Sequence, residues 1–317
     1  MVANERLSAE SLARLDSLIA KHNLSECRDE IIEAASECAL LEMGGADDYA
    51  RVGNSRYGGV PDLPQSWEWP LSNNDGERLI FLMQINLAEV PSFAGKQLPD
   101  TGLLYLFTDS AEEEPNPYLT FPTFLRVLYY GGDYSLLKRP EFNSNTEAPY
   151  NPYRLVIERS FDISDYAEPF YNYSQPLFYA GSDLYQKLQS RGQELDRYSI
   201  HELCHEAWGI TATNGVYNKR LAGKLMGFTD EENGAFREIA YLLRSGNENK
   251  IVDAEWRRDN ASLVRSGAAE WLLLWNVWEN NNVGTDFGSP GYIEIFIHRD
   301  DLAVWNLDNL YGIQVSV

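Results

Sequence analysis

Leu79-Ile80-Phe81-Leu82-Met83-Gln84-Ile85-Asn86, then Pro99, then Gly102-Leu103-Leu104-Tyr105-Leu106-Phe107, is a pair of short apolar runs separated by breakers. A later stretch has the same layout: Trp271-Leu272-Leu273-Leu274-Trp275-Asn276-Val277, Pro290, then Gly291-Tyr292-Ile293-Glu294-Ile295-Phe296. Apolar runs of this length bounded by Gly, Pro and Asn are strands rather than helices. Each block is therefore a strand, a linker, a glycine and a second strand ending in Phe. A glycine element precedes each at a distance, Gly58-Gly59 in the first and Gly227 in the second. Recurrence of one layout predicts an internal duplication with two similar half-sheets packed as one body; two unrelated hairpins of common strand chemistry are the plainer alternative.

Working outward, further strands are expected at 124–130 and 154–158, with polar loops rich in breakers at 109–122 and 139–153. Leu12, Leu15, Leu18 and Ile19 recur at helical spacing behind Ser8, a residue suited to an N-cap. The same periodicity predicts a second helix over 25–43, ended by Gly44-Gly45, and helical zones at 182–208 and 230–246. The expected fold class is α+β, with internally duplicated mixed or antiparallel sheets and N-terminal helices. Its segments are 1–45 (N-terminal helical), 46–160 (first αβ half), 161–220 (variable helical insertion) and 221–317 (second αβ half), in one compact body.

The chain has 317 residues, 44% of them hydrophobic, which is enough to bury a core without a cofactor. Its 48 acidic and 26 basic side chains leave a formal charge of −22. Such a field repels phosphate backbones and anionic headgroups, so nucleic acid and membrane are excluded as expected partners. It suits either plain solubility or a protein partner with a basic surface. Three cysteines make a disulfide framework an unsuitable reading and point to a reducing, cytoplasmic setting. Cys27 and Cys38 are read as small core residues. No apolar run approaches the roughly 20 residues that a membrane span needs.

The segments around the first block carry a resemblance. Arg56-Tyr57-Gly58-Gly59-Val60-Pro61-Asp62-Leu63-Pro64, Trp69-Pro70, Phe81-Leu82-Met83-Gln84-Ile85-Asn86 and Leu98-Pro99-Asp100-Thr101-Gly102-Leu103-Leu104-Tyr105 resemble the YwqG-like family of bacterial proteins of unknown function. The frame continues through Lys224-Leu225-Met226-Gly227-Phe228, Trp271-Leu272-Leu273-Leu274, Gly291 and Asp301-Leu302. Departures from the family pattern fall at Gly223, Thr229, Trp275, Val277 and Ser289. The resemblance implies an α+β fold with a duplication and a place among immunity-type or toxin-neighbourhood proteins, and it supplies no activity. Gly58-Gly59-x-Pro61-x-x-Pro64 is read as a rigid, sharply bent connection, because glycine permits positive φ and proline fixes it. Gln84 and Asn86 alternate on one strand face, where their amides either line a cleft or satisfy backbone groups. With Arg56, Trp69 and Trp275 they form the candidate binding set.

One string has catalytic chemistry. His201-Glu202-Leu203-Cys204-His205 is a literal H-E-x-x-H, which on a helix places two histidines on one face for Zn²⁺ and the glutamate beside the metal-bound water. Candidate ligands are His201 and His205 with Glu231 as a carboxylate third, and Glu202 is the candidate general base. Glu206, Trp208 and Thr211 depart from extended zinc-protease patterns, and a helix between Ser199 and Gly209 is only about two turns long. The leading expectation is a non-enzymatic, acidic protein-binding molecule of immunity type. The alternatives are a zinc-dependent hydrolase, and a small-molecule or glycan binder using a cleft between the halves.

Overall fold

The computed structural model describes residues 6–72, 76–109, 124–141, 148–163, 202–210, 212–213, 216–217, 220–229, 236–288 and 291–316. Helix α1 (Ala9–Lys21) is capped by Ser8, whose hydroxyl accepts from Ser11 N at 3.2 Å, and it buries Leu15, Leu18 and Ile19. It ends at Asn23, held at φ 58°, with Asn23 N and Leu24 N donating back to Ala20 O and Ile19 O. Helix α2 (Arg28–Ala34) follows a single 3₁₀ turn.

From there the structure departs from the periodicity. The expected helix over 25–43 stops at Ala34, and Ala35–Ala46 is strand β1. Ala, Glu, Leu and Met are good helix formers, but β1 is hydrogen-bonded along both edges and nearly continuously buried, so tertiary pairing overrides local preference. The remaining strands are β2 (Arg56–Tyr57), β3 (Leu63–Pro64), β4 (Ile80–Asn86), β5 (Leu103–Thr108), β6 (Leu125–Tyr130), β7 (Leu137–Lys138), β8 (Tyr153–Ile163), β9 (Ala212–Thr213), β10 (Val216–Tyr217), β11 (Leu221–Leu225), β12 (Trp271–Trp278), β13 (Gly291–His298) and β14 (Tyr311–Ser316). The later helices are α3 over 202–207, α4 (Phe236–Arg244), α5 (Ala254–Asp259), α6 (Ala261–Ala268) and α7 (Arg299–Ala303).

Among the described residues, ten strands form one sheet in the order β14-β13-β12-β11-β1-β8-β2-β4-β5-β6, with every pairing antiparallel. The long strands β1 and β8 lie side by side in the middle. To one side runs β2-β4-β5-β6 and to the other β11-β12-β13-β14. Register matches the two runs residue by residue: Arg56 faces Gln84 and Gln84 faces Tyr105, as Lys224 faces Asn276 and Asn276 faces Glu294. The ladder shifts between Phe81 and Met83 in the first run and between Leu273 and Trp275 in the second.

The main core draws on both runs, with Leu82, Leu104 and Leu106 beside Leu274, Ile293 and Ile295. Leu125 of β6 packs against Gly312 of β14, where a Cβ would have no room. Three further clusters cover the sheet. Helices α1 to α3 pack with β1 and β8, α4 and α6 with β12 to β14, and the 63–69 segment with β4 and β5.

Candidate functional site

Arg56 enters the fully buried interior because β2 is only two residues long and the next residues, Gly58 and Gly59, take left-handed backbone that turns the chain back over the sheet. Its Nε donates to Asp47, its Nη1 to Val60 O at 2.5 Å, and its Nη2 to Asn54 Oδ1 at 3.0 Å and Asp62 Oδ2 at 3.2 Å. The guanidinium also lies 4.6 Å from the centre of the Tyr49 ring, and Arg139 lies 4.8 Å from the same ring. Arg139 Nε sits 3.0 Å from Asp62 Oδ1.

Gln84 donates to Asn54 O at 2.7 Å and Asp62 Oδ2 at 3.1 Å, and accepts from Asp62 N at 2.9 Å. Asn86 donates to Gly53 O at 2.7 Å and accepts from Ala88 N and the Tyr134 hydroxyl. Tyr105 completes the row by donating to Asp62 O at 2.6 Å. Burial alone would raise the Asp47 carboxyl, but hydrogen bonds from Asn54 and Arg56 outweigh it and hold the group below the usual range. Burial pushes the Tyr49 and Tyr105 phenols up. The structure thus brings Arg56, Gln84 and Asn86 together in a network that fastens the 47–63 segment to the sheet.

The second run has its own buried row. Lys224 Nζ donates to Asp162 Oδ2 at 2.8 Å and lies 5.0 Å from the Trp208 ring centre. Asp162 also accepts from Phe228 N at 2.9 Å. Asn276 donates to Glu294 Oε1 at 3.2 Å, and the Thr229 hydroxyl donates to Glu294 Oε2 at 2.6 Å. The amide matching Gln84 is therefore Asn276, while its neighbour Trp275 is fully buried in the core shared by both runs. Trp69 is buried in a different cluster, with Nε1 donating to Leu79 O at 2.7 Å and its ring edge-to-face with Phe107 at 5.6 Å.

Residues 202–205 of the H-E-x-x-H string fall on α3. Leu203, Cys204, Ala207 and Trp208 turn into the cluster formed with α1 and α2, Glu202 is exposed and His205 is half-buried. Glu206 binds Lys21 Nζ at 2.5 Å and His22 Nε2 at 3.1 Å, which ties α3 to α1. His201 and Glu231 lie outside the described residues. Among the described residues, no group of three or more His, Cys, Asp or Glu side chains could hold a metal ion.

Asp47, Asn54 and Arg139 carry no signal in the sequence pattern, and Asp62 stands in the family-like segment with no chemistry marked by its neighbours. No spacing rule links Arg139 to Asp62 or Asp47 to Arg56; only the fold brings them together. A buried arginine after a turn-rich acidic stretch is the one signal that could have suggested a carboxylate partner. A separate open cleft of about 570 Å³ lies where the 66–72 segment overlaps β6, at an end of the sheet order.

The geometry defines a class: an α+β protein whose described residues include a ten-stranded antiparallel sheet, in which each of two matched runs buries a cation against a carboxylate. The family described as Domain of unknown function (DUF1963) matches residues 55–313, and the chain belongs to this YwqG-like family. No curated protein matches the chain. Among the described residues, no helix is long and apolar enough to cross a membrane.

Proposed function

We propose that the chain is a non-enzymatic, immunity-type binding protein whose partner is a protein with a basic surface. The observation that carries this reading is the formal charge of −22, a field that accelerates and orients encounter with a cationic partner. The inward-turned networks of Arg56, Gln84 and Asn86 support it, since their polar atoms serve the fold rather than a reaction. Three buried cysteines suit a reducing, cytoplasmic setting.

The duplicated sheet belongs to the same proposal. Matched register, a ladder shift at the same place and paired left-handed backbone at Gly58-Gly59 and Met226-Gly227 support descent of both runs from one ancestral unit. The test of the functional reading is capture on the immobilised full chain from cell extract at low and at high salt. A basic protein retained in stoichiometric amount, and released as salt screens the field, is the expected result. Absence of any retained protein at low salt, or retention indifferent to salt, would overturn it.

A further inference from the structure

Among the described residues β6 ends the sheet order, and its Arg126, Leu128 and Tyr130 are half-exposed where the 66–72 segment meets it. That segment brings in Trp67, whose ring is fixed edge-to-face by Tyr105 at 5.9 Å and Tyr130 at 5.8 Å. Trp67, Leu128 and Leu71 line the cleft, and Leu71 is 51% exposed. Glu68 and Arg126 add one charge of each sign.

We propose that this cleft is where the partner docks, and that the occupant is an extended basic segment presenting an aliphatic or aromatic side chain beside a Lys or Arg. The inference rests on the protein-binding reading above and assigns it a surface. A cleft of about 570 Å³ accommodates a few side chains rather than a whole domain. Its anchors suit one apolar residue: Trp67 is rigidly held, so little conformational entropy is lost on contact, and Leu71 has apolar surface to bury. Glu68 is exposed and takes the cation. The charge of −22 selects a basic segment over an acidic one.

The test pans a phage-displayed library of random linear peptides on the intact protein and measures the best binder as a synthetic peptide. Leu71→Lys and Glu68→Lys serve as variants, both at exposed positions where folding is preserved. The expected result is enrichment of basic peptides with an adjacent apolar residue, amide-exchange protection over 66–72 and 125–130, and affinity lowered about tenfold or more in both variants. No enrichment, equal affinity in the variants, or protection elsewhere would overturn the proposal, as would a compact small molecule filling the cleft that peptides leave empty. Salt-sensitive protein capture that survives Leu71→Lys would remove the cleft and leave the protein-binding reading standing. Loss of capture by the unaltered chain would remove that reading itself.

Discussion

Gly58 and Met226 adopt the same left-handed backbone, φ 70° and 61°, and each donates its N–H to the bulged strand beside it, Gly58 to Leu82 O at 2.8 Å and Met226 to Leu274 O at 3.2 Å. The turn is built twice, once with the residue that adopts it freely and once with a residue that does not. A side chain in this region costs roughly 1–2 kcal/mol. At Met226 the side chain offsets that cost by lying buried in the main core.

This predicts an inverted order of substitutions at Met226. Met226→Ala loses the buried side chain, worth about 2–5 kcal/mol, and keeps the strained backbone. Met226→Gly loses the same packing but relieves the strain, so it should be more stable than Met226→Ala by about 1 kcal/mol. At Gly58 the order is normal and harsher: Gly58→Ala drives a Cβ into Asn151 O and is expected to destabilise by more than about 1 kcal/mol. Urea unfolding of the three variants checks all of this, and a Met226→Ala protein more stable than Met226→Gly would refute the strain argument.

Arg56→Met should destabilise the fold by about 3–5 kcal/mol, because it leaves Asp47 and Asp62 buried without their guanidinium. The deficit should depend on pH. In the unaltered protein the Asp47 pKa is depressed, so its contribution is present above the unfolded value near 4 and fades as pH falls through the folded one. Without Arg56 the pull on Asp47 weakens and it protonates more readily, so the gap between variant and parent narrows in acid. Chemical unfolding at neutral and at mildly acidic pH measures that gap, and a gap that stays constant would show that Asp47 does not answer to Arg56.

Strands β4, β5, β6, β12 and β13 were legible because each is an apolar run with breakers at its ends. β1 was not, since Ala-Ser-Glu-Cys-Ala-Leu-Leu-Glu reads as helix until β8 and β11, distant in sequence, pair with its two edges. β11 was hidden by its own buried Lys224, which no strand pattern anticipates. In the candidate site, Gln84 and Asn86 stood out in the recurring layout and Arg56 in the family-like segment. Their carboxylate partners did not, because Asp47 and Asp62 look like turn residues until the chain folds back over the sheet.

Glu37 fastens the N-terminal helix to the sheet. It accepts from Ser8 N at 3.0 Å, the Ser8 hydroxyl at 2.5 Å and Ala94 N at 2.5 Å. Burial alone would raise its pKa, but hydrogen bonds from Ser11, Ser8 and Ala94 outweigh it and lower the group. A depressed carboxylate stabilises above its unfolded pKa near 4.3 and loses that contribution as pH falls through the folded value. Glu37→Gln should therefore cost about 1–3 kcal/mol at neutral pH, and the difference from the parent should shrink in acid. Acid titration followed by circular dichroism tests it; parallel curves for variant and parent would contradict the assignment.

Glu238 carries the opposite sign. It is buried between α4 and α5, where Arg257 Nη2 donates to it at 3.0 Å and also reaches Ile251 O through Nη1 at 2.7 Å. Desolvation raises its pKa to about 7, with Arg257, Arg265 and Arg237 pulling the other way. An acid whose folded pKa is raised contributes stability that is fully present below the unfolded value near 4.3 and is lost as pH rises through about 7. Over that window the loss amounts to about 4 kcal/mol. The helices over β12 to β14 should accordingly loosen as pH rises from about 4 to about 7, read as amide protection factors in 236–244, corrected for base-catalysed intrinsic exchange, that fall over that range. Glu238→Gln keeps the hydrogen-bonding shape without the titration and should flatten this dependence. A variant that retains the parent's pH profile in this helix would place the titrating group elsewhere.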